Sequence, residues 1–114
     1  MIAVIFEVEP KDGMLESYLD IAADLKPELE RTDGFISVER FASMTTPGKY
    51  LSLSFWRDED ALTAWRRHTH HRRAQHQGRH EMFAGYRLQV ASVLRDYGLH
   101  ERDQAPADAI DRGG

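Results

Sequence analysis

Residues 2–9, IAVIFEVE, alternate with a period of two: Ile2, Val4, Phe6 and Val8 point one way, Ala3, Ile5, Glu7 and Glu9 the other. That is the pattern of a strand, and both of its faces carry apolar side chains, so both ask to be covered. Pro10-Lys11-Asp12-Gly13 ends the strand. From Met14 onward Leu15, Tyr18, Leu19, Ile21, Ala22 and Leu25 recur at helical spacing. Pro27 ends or kinks that helix near Leu25–Lys26, or leaves it one more turn through Leu29.

Thr32-Asp33-Gly34 signals a turn, Phe35–Phe41 reads as a second strand and Tyr50–Trp56 as a third, joined across Thr45–Gly48. Asp58 is placed to cap a second helix, with Ala61 three residues on. The helical pattern runs through Leu62, Trp65 and Thr69; Gly78 blurs its end, and Met82 and Phe83 suggest that it continues past that glycine. Tyr86–Leu94 is the fourth strand. The expected domain is 1–98, and 99–114, HERDQAPADAIDRGG with its leading Leu99, is expected to be a flexible or loosely attached tail.

The order strand, helix, strand, strand, helix, strand is the split βαβ, or ferredoxin-like, arrangement: an α+β fold with an antiparallel four-stranded sheet and both helices on one face. The helices cover one face only. The other, expected to carry Ala3, Ile5, Trp56, Ala91 and Val93, is left as an apolar patch. Pairing two sheets face to face removes it, so a homodimer is expected, the alternative being a monomer with scattered apolar surface.

At 114 residues the chain is one domain's length, and its lack of cysteine excludes disulfides, thiolate nucleophiles and Cys-ligated metal clusters. No apolar run approaches the roughly 20 residues of a membrane helix. Met1–Phe6 lacks a basic leader, so a cytoplasmic location is expected. The net charge of −4 hides a segment, Arg66–His80, with five Arg, five His and no acid. That segment carries +5 and the rest −9, which argues against bulk association with nucleic acid.

On a helix Trp65, Thr69, Arg72, His76 and His80 fall near one stripe. If the stripe faces the sheet it lines a cleft that would hold an aromatic body against Trp65, with Arg72 and His76 orienting oxygens. The bland reading is a core tryptophan beside a solvated basic face. His76 and His80 at i, i+4, and His68 and His71 at i, i+3, have spacings compatible with metal sharing. There is no HExxH, however, and Arg66, Arg67, Arg72 and Arg73 oppose a divalent cation, so no metal site is expected. No nucleophile elbow, P-loop or dinucleotide fingerprint is present.

The strings DGFISVER (33–40), LSLSFW (51–56), Ala64-Trp65, His71-Arg72-x-Ala74-Gln75, Tyr86-Arg87, Val90, Val93 and Arg95-Asp96-Tyr97-Gly98 together resemble the antibiotic biosynthesis monooxygenase family over roughly residues 1–98. The resemblance implies a dimeric α+β barrel. It also implies one of several roles in a family that includes many small bacterial proteins. The first is a cofactor-independent monooxygenase that oxidises a phenolic, quinol or polycyclic aromatic molecule with O2. The others are a non-catalytic protein binding a quinone or small aromatic, and a haem-binding or haem-degrading monooxygenase. For the first role the expected catalytic residues are Trp65, stacking on the substrate, and His76, its base; Phe6, Arg72 and Phe83 are expected to bind substrate. For the haem role Trp65 matches, His76 matches the ligand after a one-residue shift, and the asparagine of the first strand is missing, with Phe6 or a neighbour in its place.

Overall fold

In the computed structural model, which describes residues 1–75 and 79–108, the chain runs β1 (Ile2–Pro10), α1 (Leu15–Glu30), β2 (Phe35–Ala42), β3 (Tyr50–Trp56), α2 (Glu59–Gln75), a 3-10 turn (Arg79–Met82) and β4 (Phe83–Ser92). The strands form one antiparallel sheet in the order β2-β3-β1-β4. This is the ferredoxin-like α+β arrangement expected from the element order. Among the described residues no helix is long and apolar enough to cross a membrane.

Residues paired across antiparallel strands share a face, and that decides which side chains meet the helices. Ile2 pairs with Trp56 and Ser92, Val4 with Ser54 and Val90, Phe6 with Ser52 and Leu88, Val8 with Tyr50 and Tyr86. The core builds on this face: Val4 and Trp56 pack with Leu29 of α1 and Ala61 of α2, flanked by Ile2, Phe35, Val38, Leu62 and Trp65. Trp56 is therefore not on the uncovered face, where its apolar character had placed it. Its pairing with Ile2 turns it toward the helices, and it is 2% exposed.

The same register sends Leu51, Leu53 and Phe55 to the open face, opposite Glu7, Ile5 and Ala3. β3 thus turns Tyr50, two serines and a tryptophan toward the helices and its Leu-Leu-Phe row away from them. Phe41 joins that row from β2 and Ala91 from β4.

Of the two ends open to α1, the structure takes the later: the helix runs through Pro27 to Glu30, because a proline in the last turn removes one late hydrogen bond while Leu29 beyond it is buried in the core. One boundary moves from the sequence expectation. β4 starts at Phe83, where helix was expected, since β1 extends far enough to pair with it: Pro10 faces Phe83, and the Lys11 N–H donates to the Met82 carbonyl at 2.7 Å. The β2 entrance needs Gly34, whose φ is +86° and whose position would put a Cβ 2.6 Å from the Ala61 Cβ. Asp58 caps α2 as its position predicts, its carboxylate accepting from the Ala61 N–H at 2.9 Å.

Beyond Ser92 the described chain forms neither helix nor strand. It is fastened by its own contacts: Gly98 N–H to the Glu101 carbonyl (2.8 Å), Asp96 N–H to the Gln104 side chain (2.8 Å), and Arg102 stacked over Tyr97. The radius of gyration is 16.4 Å, against about 13 Å for a compact domain of this length.

Candidate active site

β4 is an edge strand, and its helix-facing side is not fully roofed. Tyr86, Leu88 and Val90 point to the same side as the core yet are 68%, 53% and 46% exposed. Phe6 on β1 and Phe83 at the start of β4 continue this apolar surface inward, both half-buried. The result is an open apolar trough along β4. From Tyr86 to Val90 it spans four residue steps, about 13 Å at strand rise, the length of a fused two- or three-ring body.

One end of the trough is an aromatic cluster. Phe6 meets Phe83 edge-on (centroids 6.1 Å apart) and Tyr86 at 5.9 Å; Phe83 in turn meets Tyr18 of α1 at 5.6 Å and Tyr86 at 6.3 Å. Tyr18 is buried and carries the Arg40 guanidinium 5.8 Å above its ring. Such edge and tilted contacts fix ring orientations and add modestly to area burial. Phe6 and Phe83, expected separately from the sequence, are thus brought together. Tyr18 and Tyr86 were missed as site residues; the period-two pattern that puts Tyr86 in line with Leu88 was the available signal.

Trp65 packs on the core cluster containing Val4, whose β4 neighbour is Val90, and its ring lies 6.4 Å from Trp56 and 5.4 Å from His68. The ring is half-buried, leaving part of its face free beside the core.

Arg72 has a different setting from the one its sequence position suggested. Its guanidinium reaches α1, 2.7 Å from an Asp24 carboxylate oxygen and 3.4 Å from Glu28, while His68 meets Glu28 at 3.1 Å. The stripe Trp65, His68, Arg72 therefore clamps α2 to α1. His76 lies outside the described residues. Among the described residues no group of three His, Asp or Glu side chains could hold a metal ion.

Away from the trough, Arg57 bridges Asp58 (2.9 Å) and Asp33 (3.2 Å) at the start of α2. Its hydrogen bond, followed by that from the Ala61 N–H, holds the Asp58 carboxyl below the usual carboxylate range. A shallow depression of about 240 Å³ lies at the β2–β3 end of the sheet, beside Phe41, Leu51 and the Lys49–Glu7 ion pair. Its position continues the open apolar face and not the trough.

The model of the antibiotic biosynthesis monooxygenase family matches residues 1–77, over half of the chain. The chain belongs to the antibiotic biosynthesis monooxygenase family. It is similar to the jasmonate monooxygenase ABM of Pyricularia oryzae, with 47% identity over 101 residues that cover 89% of this chain and 47% of that protein. The chain spans about half the length of the curated relatives it matches.

Solved structures share the monooxygenase-family fold. A Mycobacterium tuberculosis protein, Rv0793, superposes with a TM-score of 0.72 at 18% identity, covering 85% of this chain and 98% of its own. The haem degrader MhuD of the same organism, solved with two haems in its active site, does so at 0.69 and 19%, covering 86% of this chain and all of its own. At these identities the likeness is one of fold.

Proposed function

We propose that the chain is a monooxygenase that oxidises a phenolic, quinol or polycyclic aromatic molecule with O2 and needs no resident cofactor. The observation that carries this reading is the apolar trough along β4, walled at one end by Phe6, Phe83 and Tyr86, in a chain of monooxygenase lineage. An electron-rich ring compound can reduce O2 itself once it is deprotonated and shielded from water. A ring methylene that becomes a ring ketone gives up four electrons, and these reduce one O2: one oxygen atom ends in the new carbonyl and the other leaves as water with the two methylene hydrogens. The reaction balances with no outside reductant.

In this reading the protein supplies position and proton transfer. Trp65 stacks on the substrate, Phe6 and Phe83 bound its far end, and His76 takes the proton, an imidazole being suited to that near neutral pH. Arg72 acts from behind, holding α2 against α1 through Asp24 and Glu28. Haem fits the described part of the trough poorly: Phe6, Phe83, Tyr86, Leu88 and Val90 offer no imidazole to iron, and no step is assigned to it.

A second reading follows from the 47% identity with a jasmonate monooxygenase. Jasmonate is a cyclopentanone with alkyl arms, and hydroxylating one of its C–H bonds takes two electrons from an external donor. The two readings therefore differ in their need for reductant. We further propose that two copies pair through the open face of Ile5, Leu51, Leu53, Phe55 and Phe41, since among the described residues both helices lie on the other face.

Oxygen consumption by chelator-treated protein tests the reading, with anthrones and quinols alone, jasmonic acid with and without NADPH, and haemin with ascorbate. The expected result is reductant-free uptake on an anthrone or quinol, reduced about tenfold in Trp65→Phe. Uptake on jasmonic acid that requires NADPH would favour the second reading. Silence on every compound would make the chain a binding protein.

A further inference from the structure

We infer that Tyr86 is the specificity-determining residue of the trough, its hydroxyl donating a hydrogen bond to an oxygen on the edge of the substrate ring. The inference rests on the reading of the trough as the substrate site. Among Phe6, Phe83, Tyr86, Leu88 and Val90, Tyr86 alone carries a side-chain polar atom; the Tyr18 hydroxyl and the Trp65 indole N–H nearby belong to a buried and a half-buried ring of the two helices. The Tyr86 hydroxyl has no hydrogen-bond partner among the described residues.

The ring of Tyr86 is nevertheless placed. Phe6 holds it at 5.9 Å and a 58° tilt, Phe83 at 6.3 Å and 60°, and its cross-strand partner Val8 is fully buried beside it. A tyrosine 68% exposed on the helix-facing side of a sheet, its ring beside two half-buried phenylalanines, presents its polar tip to the open side of the trough. A ring lying along Leu88 and Val90 would bring one edge to that hydroxyl. The substrate class that fits is a flat or nearly flat apolar body, two or three rings long, with a phenol, enol or ring-ketone oxygen at one end. As such an oxygen gains negative charge on deprotonation, a neutral donor aimed at it binds it more strongly.

Tyr86→Phe removes the hydroxyl and keeps the ring contacts, so the fold is preserved. Binding of 1-naphthol and of naphthalene is measured by quenching of tryptophan fluorescence in both proteins. The ratio of the two affinities cancels differences in how water solvates the probes. The expected result is that Tyr86→Phe weakens 1-naphthol about fivefold, the size of one neutral hydrogen bond, and leaves naphthalene unchanged. An unchanged ratio, or failure of both compounds to bind the natural protein, overturns the inference.

Oxygen uptake is followed in the same pair of proteins. Uptake on an anthrone with the same kcat/KM in Tyr86→Phe would overturn the role of Tyr86 and leave the enzymatic reading standing. A shifted binding ratio without uptake on any compound would overturn the enzymatic reading and leave Tyr86 as the recognition residue of a binding protein.

Discussion

The indole N–H of Trp56 donates to the hydroxyl of Ser54 at 2.9 Å, two residues back on the same face of β3. This pair explains an inverted strand. The core-facing row of β3 is Tyr50, Ser52, Ser54, Trp56, and Ser54 is polar where a nearly fully buried indole needs an acceptor. Ser54→Ala leaves that N–H unpaired in the core and should destabilise the protein by about 1–2 kcal/mol. Urea denaturation measures it; a change within error of zero would mean that the indole finds another acceptor.

The other side of the inversion is the Leu51, Leu53, Phe55 row on the open face. If two copies pair through it, Leu53→Lys puts a charge at the centre of an apolar interface. Sedimentation should then show the natural chain as a dimer and the variant as a monomer, with circular dichroism showing the variant still folded. A natural chain that sediments as a monomer at micromolar concentration removes the pairing.

Gly34 is fixed twice, by a φ of +86° and by the 2.6 Å that would separate an added Cβ from Ala61. Gly34→Ala should therefore destabilise by about 3 kcal/mol, combining left-handed strain with overpacking where β2 meets α2. Gly13→Ala, with φ +78° and open space around it, should be milder. Equal effects at the two glycines would show that the Ala61 contact carries no weight.

Asp58 gives a pH dependence of known sign. Its pKa is lowered in the folded chain, first by the Arg57 hydrogen bond and then by the Ala61 N–H. A carboxyl with a lowered folded pKa contributes stability that is fully present above its unfolded value near 4. That contribution is lost as the pH falls through the folded value. Asp58→Asn keeps a cap but not the charge. The Tm difference between the two proteins should be steady near neutrality and shrink below about pH 4; a difference that persists there would assign the effect to the cap alone.

What the sequence made legible follows from what each pattern measures. Alternation and turn residues located every element, because each depends on neighbours in the chain. Which face of β3 meets the helices depends on register with β1, which no local pattern carries, so Trp56 was placed on the wrong side. α1 continued past Pro27 for a similar reason: the burial of Leu29 is a tertiary fact. At the candidate site, Phe6 was legible as an apolar residue at strand spacing and Trp65 as one at helix spacing, whereas Phe83, expected in helix, stands at the start of β4. Arg72 was not legible, since its partners Asp24 and Glu28 lie 48 and 44 residues away and only the packing of α1 on α2 brings them together.

In the proposed reading substrate sits in the trough along β4. Leu88 is its middle residue, more than half exposed and outside the core cluster, so Leu88→Trp fills the trough without displacing packed side chains. The decisive measurement is oxygen uptake by Leu88→Trp and the natural protein on the most active compound found. A trough that holds the substrate predicts a loss of at least about tenfold with thermal stability unchanged. Uptake equal to that of the natural protein would contradict it and place the chemistry elsewhere on the fold.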